Sequence, residues 1–370
     1  MKLDDLSYDL PEDRIAQQPL ATRDASRLLL LSRTAGDLQD RAFAELPDLL
    51  RGDELLVVNN ARVIPARLFG RRRGDKSEPA GKEALRSGEY LSSVIEVLLT
   101  RNIEGDTWEA LVRPGRKVRV GEHILFGEGE LEAEVIARGE LGLRQLKFTS
   151  PQNKTVSTVQ QTIERLGHVP LPPYIRRTDE AADRLRYQTV FARSGSAVAA
   201  PTAGLHFTDS ILERLHVRGA EICELTLNVG LGTFQPIHEE EIERHKIHTE
   251  TYEIPEETAR RIIDAKKNSR PVLAIGTTVV RTLEDAAKKA LAANAKTLIT
   301  SGRAEADIFI YPGYEFRVVD QILTNFHLPR STLLAMISAF AGLDATLRAY
   351  RHAIDAKYRF YSYGDCMLIR

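Results

Sequence analysis

The sequence predicts an α/β protein in which a larger mixed-sheet domain is interrupted by a smaller antiparallel β domain. At both ends of the chain, short apolar runs alternate with helical patterns, as in sheets that are covered by helices. Between them, five short alternating runs are separated by glycine-rich or charged turns, which is typical of a small barrel or sandwich. We therefore expect a discontinuous α/β domain at 1–61 and 154–370 and an inserted β domain at 62–153.

Length and composition describe an ordinary globular chain. Its 370 residues suffice for two domains with a core each, and its net charge of −1 leaves nucleic acid to local basic patches. Cys223 and Cys366 are far apart and lack the spacing of metal ligands, which favours a reduced, cytoplasmic setting without disulfides. The acidic N-terminus has no long apolar core, so we expect neither a signal peptide nor a membrane span.

The first part of the α/β domain contains two buried strands, predicted at 28–31 and 55–58, and a short helix at 43–50. Asn59 and Asn60 end the second strand, and asparagines at such a position are usually turn residues. From this point the chain becomes polar and basic.

The inserted domain begins with a polar insertion at 71–93 and continues with strands predicted at 94–100, 108–112, 118–126, 131–137 and 143–148. A solvated face is the simplest explanation for each of its basic residues taken alone. Together they could follow a phosphate backbone. They include Arg62, Arg67, Arg71, Arg72, Arg73, Arg101, Arg113, Arg116, Lys117 and Arg119.

The rest of the chain returns to alternating strands and helices. Strands are predicted at 221–229, 272–275, 308–310 and 318–319, and helices at 156–166, 210–218, 255–267, 279–291, 332–340 and 347–357. The stretch 198–208 organises this half: an apolar run breaks at Pro201, turns, and delivers His206 just before Thr208, which reads as a helix N-cap. We expect strand, tight turn and helix, with His206 at the rim of the turn. A tight connection with a structural histidine fits the spacing equally well.

Four polar turns follow likely strand ends, at 201–208, 228–236, 276–278 and 324–332. Ligands of open α/β sheets bind at such strand ends, so the convergence favours a site there. Gly230 and Gly232 resemble the start of a dinucleotide loop but lack its third glycine. The 276–278 turn opens a helix that could hold a carboxylate or phosphate.

Histidines and glutamates cluster between residues 238 and 250, which at first suggests a metal site. His245 and His248 could share a helix face, but the spacing is not that of a zinc motif and no further ligand confirms it. We favour a polar cleft in which these histidines and Glu250 act as acid and base groups, and we expect no metal.

Several runs together resemble the S-adenosylmethionine:tRNA ribosyltransferase-isomerase family of queuosine biosynthesis over nearly the whole chain. In chain order they are VVNNARVIPARLFG, PLPPYIRR, VAAPTAGLHFT, LNVGLGTFQP, HKIHTE, IGTTVVRTLE, IFIYPG, TNFHLPRSTL and YRFYSYGD. Asn228 stands where the family usually has histidine, and 71–93 looks like an insertion relative to shorter members.

The resemblance implies an α/β domain interrupted by a small β-barrel, and an enzyme that uses S-adenosylmethionine as ribosyl donor. The acceptor is 7-aminomethyl-7-deazaguanine at the tRNA wobble position, and the products are epoxyqueuosine-tRNA, adenine and methionine. S-adenosylmethionine is then a consumed co-substrate, no other cofactor is expected, and the protein is expected to be a monomer without membrane partners.

Under this resemblance each candidate residue takes a role. The hypothesis gives the proton transfers to His206 and His327, with His248 and Glu250 as the reserve pair. The substrate-binding candidates are Thr202, Gly204, Gly232, Thr233, Phe234, Gly276, Thr277, Thr278, Arg281 and Asn325. The tRNA-binding candidates are Arg71, Arg72, Arg73, Tyr174, Arg176 and Arg177. Two alternatives remain open, an S-adenosylmethionine-dependent RNA methyltransferase and a non-catalytic RNA-binding protein.

Overall fold

The computed structural model describes residues 1–73, 93–139, 142–150, 158–230, 237, 239–245 and 247–370. The strands are β1 Arg27–Leu31, β2 Leu38–Ala42, β3 Leu55–Asn59, β4 Ala61–Val63, β5 Arg67–Arg72, β6 Val94–Glu104, β7 Thr107–Arg113, β8 His123–Phe126, β9 Leu131–Arg138, β10 Leu143–Thr149, β11 Ser194–Ala197, β12 Glu221–Leu227, β13 Glu250–Ile254, β14 Val272–Ile275, β15 Gly302–Ala306, β16 Gln321–Asn325 and β17 Cys366–Ile369. The helices are α1 Leu46–Leu49, α2 Val159–Leu166, α3 Asp183–Arg186, α4 Asp209–Val217, α5 Glu256–Lys267, α6 Thr277–Ala292, α7 Thr332–Ala341 and α8 Leu343–Asp355.

The larger sheet has nine strands in the spatial order β15-β13-β12-β3-β14-β16-β17-β1-β2. Its centre, β12-β3-β14-β16, is parallel throughout, whereas antiparallel pairs join β13 and β15 on one side and β2 on the other. Because parallel strands run in one direction, the carboxyl ends of these four central strands meet at one edge of the sheet.

Apolar residues cover both faces of this centre, which explains why the sequence shows continuous apolar runs. Leu55 and Val57 of β3 pack into the core beneath α5 and α6, while Leu56 and Val58 pack into the core beneath α1 and α4. Successive side chains of a strand point to opposite faces, so a single run supplies both cores. The strands between are therefore shielded from water on two sides.

The smaller sheet is a closed antiparallel barrel in the order β10-β7-β6-β5-β8-β9. Every second residue of β9 is buried, and Trp108, Phe126 and Phe148 are among the side chains that fill the interior. The predicted fold class is thus confirmed, and the inserted domain is a barrel and not a sandwich. The domain limits at 62 and 153 stay a prediction.

Two predicted strands are wrong. Residues 308–310 and 318–319 are not in strands, although Ile308, Ile310, Val318 and Val319 are buried. The backbone N–H groups of Val318 and Val319 donate to a carboxylate oxygen of Glu284, at 3.0 Å each, rather than to a neighbouring strand. Apolar residues alone therefore indicated that these segments are buried, but not that they are strands.

The strand predicted at 118–126 is shorter than expected. It begins only at His123, after a turn in which Gly121 has a φ of 84°. That value lies in the left-handed region, which breaks an extended run and suits glycine. Among the strands that the sequence reading missed are β2, β4, β5 and β13, which are short or carry exposed, charged residues.

Within the described residues, no single helix is long and apolar enough to cross a membrane. Only α7 and α8 taken together meet the criteria of length and composition, and the two are bent by 114° where they meet.

The N-cap predicted at Thr208 is confirmed, because its Oγ1 accepts a hydrogen bond from the Ile211 N–H at 3.3 Å. We expect Thr208→Ala to lower the free energy of unfolding by about 1 kcal/mol, since the N–H loses its acceptor. Chemical denaturation measures this loss. Thr208→Ser keeps the oxygen and serves as the control, so an equal loss in both variants would contradict the prediction.

Candidate functional site

The two asparagines at the end of β3 fasten neighbouring strands together. The Asn59 side-chain amide donates to the Leu227 carbonyl at 3.0 Å, and its oxygen accepts from the Leu227 N–H at 3.1 Å. Asn60 donates to Glu224 at 3.1 Å. Asn59 Oδ1 also accepts from the Ala61 N–H at 3.0 Å, the local turn contact that is typical of asparagine, and the two residues hold β3 against β12 beside the site.

A cleft opens where β14 and β16 end. It encloses about 660 Å³, part of it open to solvent. Residues of all four polar turns named in the sequence analysis line it, together with residues of the C-terminal segment. A second pocket of about 470 Å³ adjoins it and shares Thr277, Thr278 and Leu333 with it. The cleft is lined by Tyr174, 200–203, Val229, 276–278, 324–328, Ser331, Leu333, Tyr361 and Ser362.

The amino ends of two helices meet at the wall between the two pockets. Helix α6 begins at Thr277, directly after Gly276, whose φ of 95° allows the sharp exit from β14. Helix α7 begins at Thr332, and its N-cap Ser331 accepts from the Leu334 N–H at 3.2 Å. Free N–H groups and the helix dipole favour an anion at such ends.

His327 lines the cleft directly and is 9% exposed. Its Nε2 lies 2.7 Å from the Thr324 hydroxyl, and its backbone N–H donates to the Tyr350 hydroxyl at 3.0 Å. Burial lowers the pKa of His327 to about 3. The imidazole is therefore neutral at physiological pH.

His206 ends the turn, but its imidazole is buried behind the cleft and is not among the side chains that line it. The turn winds into a 3₁₀ helix, Thr202–His206, which leaves the imidazole 3% exposed beside the Phe43 ring. Burial, followed by the charges of Arg23 and Arg359, lowers the pKa of His206 to about 3.

Hydrogen bonds fix the tautomer of His206 and the orientation of Asn325. The Asn325 amide nitrogen lies 3.2 Å from the Tyr361 carbonyl and 3.4 Å from the Asp365 carbonyl, so it must be the donor end. It also donates to His206 Nε2 at 3.2 Å, which leaves Nδ1–H to donate to the Ser26 hydroxyl at 2.8 Å. Both ring nitrogens are occupied, and the buried Asn325 Oδ1 has no hydrogen-bond partner within the described chain.

The predicted reserve pair, His248 and Glu250, lines the second pocket together with Arg281. The Arg281 guanidinium donates to the buried Glu250 carboxylate at 2.5 Å and to the His248 carbonyl at 2.6 Å. Glu250 also accepts from the Gly230 N–H at 2.9 Å. The structure thus brings these three predicted residues together. Arg281 and Glu250 form the ion pair, His248 contributes its backbone carbonyl, and Glu250 holds the loop beyond β12.

The other substrate candidates divide into three groups. Thr202 and the 276–278 turn line the cleft, whereas Gly204 packs behind it, where a Cβ would come within 2.8 Å of the Thr189 side chain. Gly232, Thr233 and Phe234 lie outside the described residues. No group of three potential metal ligands occurs in the described part of the chain. His238 lies outside the described residues.

The tRNA candidates lie on two separate surfaces. Tyr174 lines the cleft, where its hydroxyl is 2.7 Å from that of Ser362 and its ring 4.6 Å from that of Tyr361. Arg177 is bound to the buried Asp183 carboxylate through two hydrogen bonds of 2.6 and 2.9 Å.

Arg176 is exposed and bridges to Glu12 at 3.0 Å. The remaining candidates are on the barrel, where Arg71 is exposed while Arg72 and Arg73 pair with glutamates.

The sequence analysis missed several residues of the site. Ser26 and Thr324 hold the two histidines, and Tyr361 and Ser362 line the cleft. The C-terminal run from Tyr361 to Asp365 was part of the resemblance, so it offered a signal for its own residues. Ser26 precedes an ordinary apolar strand and gives no comparable signal.

An open α/β sheet with a polar cleft at the carboxyl ends of its parallel strands defines a ligand-binding α/β protein. The sequence matches the family described as queuosine biosynthesis protein over residues 3–369. The chain belongs to this family.

Similar proteins carry one name. An S-adenosylmethionine:tRNA ribosyltransferase-isomerase from Solibacter usitatus is 52% identical over 371 residues, and one from Natranaerobius thermophilus is 47% identical over 374 residues. Each alignment covers 100% of both chains. The crystal structure of S-adenosylmethionine tRNA ribosyltransferase from Thermotoga maritima matches with a TM-score of 0.52 at 34% identity, covering 99% of this chain and 100% of that chain.

The lowered histidine pKa values predict a pH-dependent stability. Between pH 3 and the ordinary value of 6.5, each imidazole is protonated in the unfolded chain but neutral in the folded one. The unfolded state then binds more protons, so the stabilisation present above pH 6.5 is lost as the pH falls. Near pH 5, His206→Gln should reduce the slope of unfolding free energy against pH by about 1.4 kcal/mol per pH unit.

Denaturant titrations at several pH values measure this slope. The matched control is His216→Gln, which removes an imidazole from the exposed surface of α4. Equal slopes for the two variants would contradict the prediction.

Proposed function

We propose that this protein is an S-adenosylmethionine:tRNA ribosyltransferase-isomerase that acts on 7-aminomethyl-7-deazaguanine at the tRNA wobble position. The observation that carries the proposal is the full-length identity of 52% to an enzyme of that name. Within the proposal the enzyme works as a monomer in the cytoplasm and consumes S-adenosylmethionine as co-substrate, with no further cofactor. Adenine and methionine leave, and epoxyqueuosine remains in the tRNA.

The cleft supports this assignment by its position and lining. It opens at the carboxyl ends of the parallel strands, where open α/β sheets bind their ligands. The amino ends of α6 and α7 suit the carboxylate of the methionine portion, since both offer N–H donors and a positive dipole end. Tyr174 and Tyr361 offer aromatic surface for a purine or deazapurine ring.

The reaction needs a general base and a general acid. The sulfonium of S-adenosylmethionine acidifies the neighbouring C5′ protons, and a base removes one of them. Electron flow then opens the ribose ring and expels adenine, whose leaving nitrogen takes up a proton. The neutral aminomethyl group attacks, and the sulfur leaves as methionine when the epoxide closes.

Within this proposal His327 is the proton acceptor. It lines the cleft, and its imidazole is neutral at physiological pH, which is the form that a general base must have before it takes a proton. The second pocket supplies His248 as the candidate for proton return to the leaving group, while Glu250, paired with Arg281, holds the loop beside it. His206 differs, because both its nitrogens are bound to Ser26 and Asn325. We therefore assign His206 to positioning of the Asn325 amide.

The first test follows the products. Incubation with S-adenosylmethionine and tRNA that carries the aminomethyl-deazaguanine should release adenine and methionine. His327→Ala should lower turnover by roughly two to four decades, the range for a positioned base. Chromatography separates the outcomes: S-adenosylhomocysteine would identify a methyltransferase, and tRNA binding without adenine would identify a non-catalytic binder.

The second test separates positioning from proton transfer at His206. In His206→Gln, the side-chain oxygen can replace Nε2 as acceptor for the Asn325 amide, whereas His206→Ala leaves that donor without this partner. We expect His206→Gln to keep kcat within about one decade of the unchanged enzyme and His206→Ala to fall well below it. Steady-state kinetics measure both. An equal loss of two or more decades in both variants, with an altered pH profile, would show that the imidazole itself transfers protons.

A further inference from the structure

The two ends of the barrel differ in what they contact. The ends of β5, β7 and β9 and the beginnings of β6, β8 and β10 form one rim, as the strand pairing requires. The opposite rim packs on the α/β domain, where Arg67 pairs with His168 and Arg165 bridges to Glu130. We call the first end the distal rim, since these contacts with the α/β domain lie at the other end.

A large groove lies at the distal rim, and we call it the arginine groove. It encloses about 1610 Å³, open to solvent, and no aspartate or glutamate of the described chain lines it. None of its arginines has a carboxylate partner among the described residues, although most surface arginines elsewhere on the barrel do. The arginines that line it are Arg113, Arg116, Arg119, Arg138 and Arg144.

Arg144 differs from the other arginines of the groove because its guanidinium group is buried. It is only 5% exposed, and its guanidinium donates to the backbone carbonyls of Gly115, Gly142 and Leu143 at 2.9 to 3.1 Å, with a weaker contact to Val118. Burial, and then the neighbouring charge of Arg138, lower its pKa. Carbonyl dipoles hold this cation in place but do not neutralise it, so an anion from outside would compensate a costly charge.

Two other arginines of the same rim already pair with carboxylates of the protein. Arg72 pairs with Glu122 at 3.2 Å, and Arg73 pairs with Glu132 at 3.4 Å. A phosphate that approached either would compete with a carboxylate of the protein. The arginine groove offers four exposed guanidinium groups, and the buried charge of Arg144 beside them, without a carboxylate partner among the described residues. Exposed guanidinium groups bind phosphates through two parallel hydrogen bonds.

We propose that the arginine groove binds the phosphodiester backbone of the tRNA whose anticodon loop enters the cleft. The inference rests on the proposed function, because it takes the tRNA as the polyanion. A groove of this volume with five cations spread along it fits a run of phosphates better than one phosphate ion. Since the net charge of the chain is −1, attraction for RNA must come from such a local patch.

The test removes three exposed charges of the groove in the variant R113Q/R116Q/R119Q. The control R260Q/R303Q/R351Q removes three exposed arginines from α5, β15 and α8, with the same change in net charge. Binding of labelled full-length tRNA is measured from low to moderate salt. We expect the slope of log K against log salt to fall by about two for the groove variant, at 0.7 to 0.9 per lost phosphate contact, and to stay unchanged for the control.

Kinetics and a second variant sharpen the result. The KM for tRNA should rise by about tenfold or more in the groove variant, while the KM for S-adenosylmethionine stays unchanged. R113K/R116K/R119K keeps the charges and should recover most of the salt dependence, and thermal unfolding verifies that each variant folds. Identical salt slopes for the groove variant and the control would overturn the proposal. If the unchanged protein releases no adenine yet its tRNA binding depends on these arginines, the proposed function fails while the groove assignment stands.

Discussion

The site depends on the parallel alignment of β3, β14 and β16. Val57 and Ala274 face each other in one ladder, and Ala274 and Ile322 in the next, so the three strands end at the same edge. Asn59, Gly276 and Asn325 therefore arrive side by side, although they are more than two hundred residues apart in sequence from first to last. Two helices then begin at this edge, and their amino ends complete the polar wall of the cleft.

Burial decides how the polar groups of this edge behave. Histidines enclosed by apolar side chains stay neutral because water no longer solvates the charged form. A buried carboxylate stays charged only with a partner, and Arg281 provides it for Glu250. Asn325 Oδ1 is an exception, because no hydrogen-bond partner for it occurs within the described chain and a buried acceptor without a donor costs about 1 to 3 kcal/mol. A substrate N–H or O–H group at this point of the cleft would remove that cost.

The barrel shows a different electrostatic arrangement. Its core is apolar and its strands alternate, so its charged residues lie on the outside or at the rims. Carboxylates pair with Arg67, Arg72, Arg73 and Arg101, which leaves little net field around them. Among the described residues the arginine groove has no such partners, so it concentrates positive potential on a chain that is nearly neutral as a whole. Total charge therefore says little about where an anion would bind.

The sequence by itself determined the fold class, the family resemblance and the convergence of the turns on one edge. Apolar periodicity encodes the strands and helices, and a run such as 272–278 carries strand, turn and helix start within a few residues. Contacts between distant segments decided the rest. Val318 and Val319 are apolar enough for a strand, yet a carboxylate from α6 takes their N–H groups.

The tertiary structure likewise decided that the His206 imidazole is buried between Ser26 and Asn325. It also separated the barrel arginines that pair with carboxylates from those that have no such partner among the described residues. Neither result is visible in local sequence, because a hydrogen-bond partner or an ion-pair partner is a property of three-dimensional proximity. The apolar periodicity of the sequence predicts which residues face the core, whereas their contact partners are determined only by the tertiary structure.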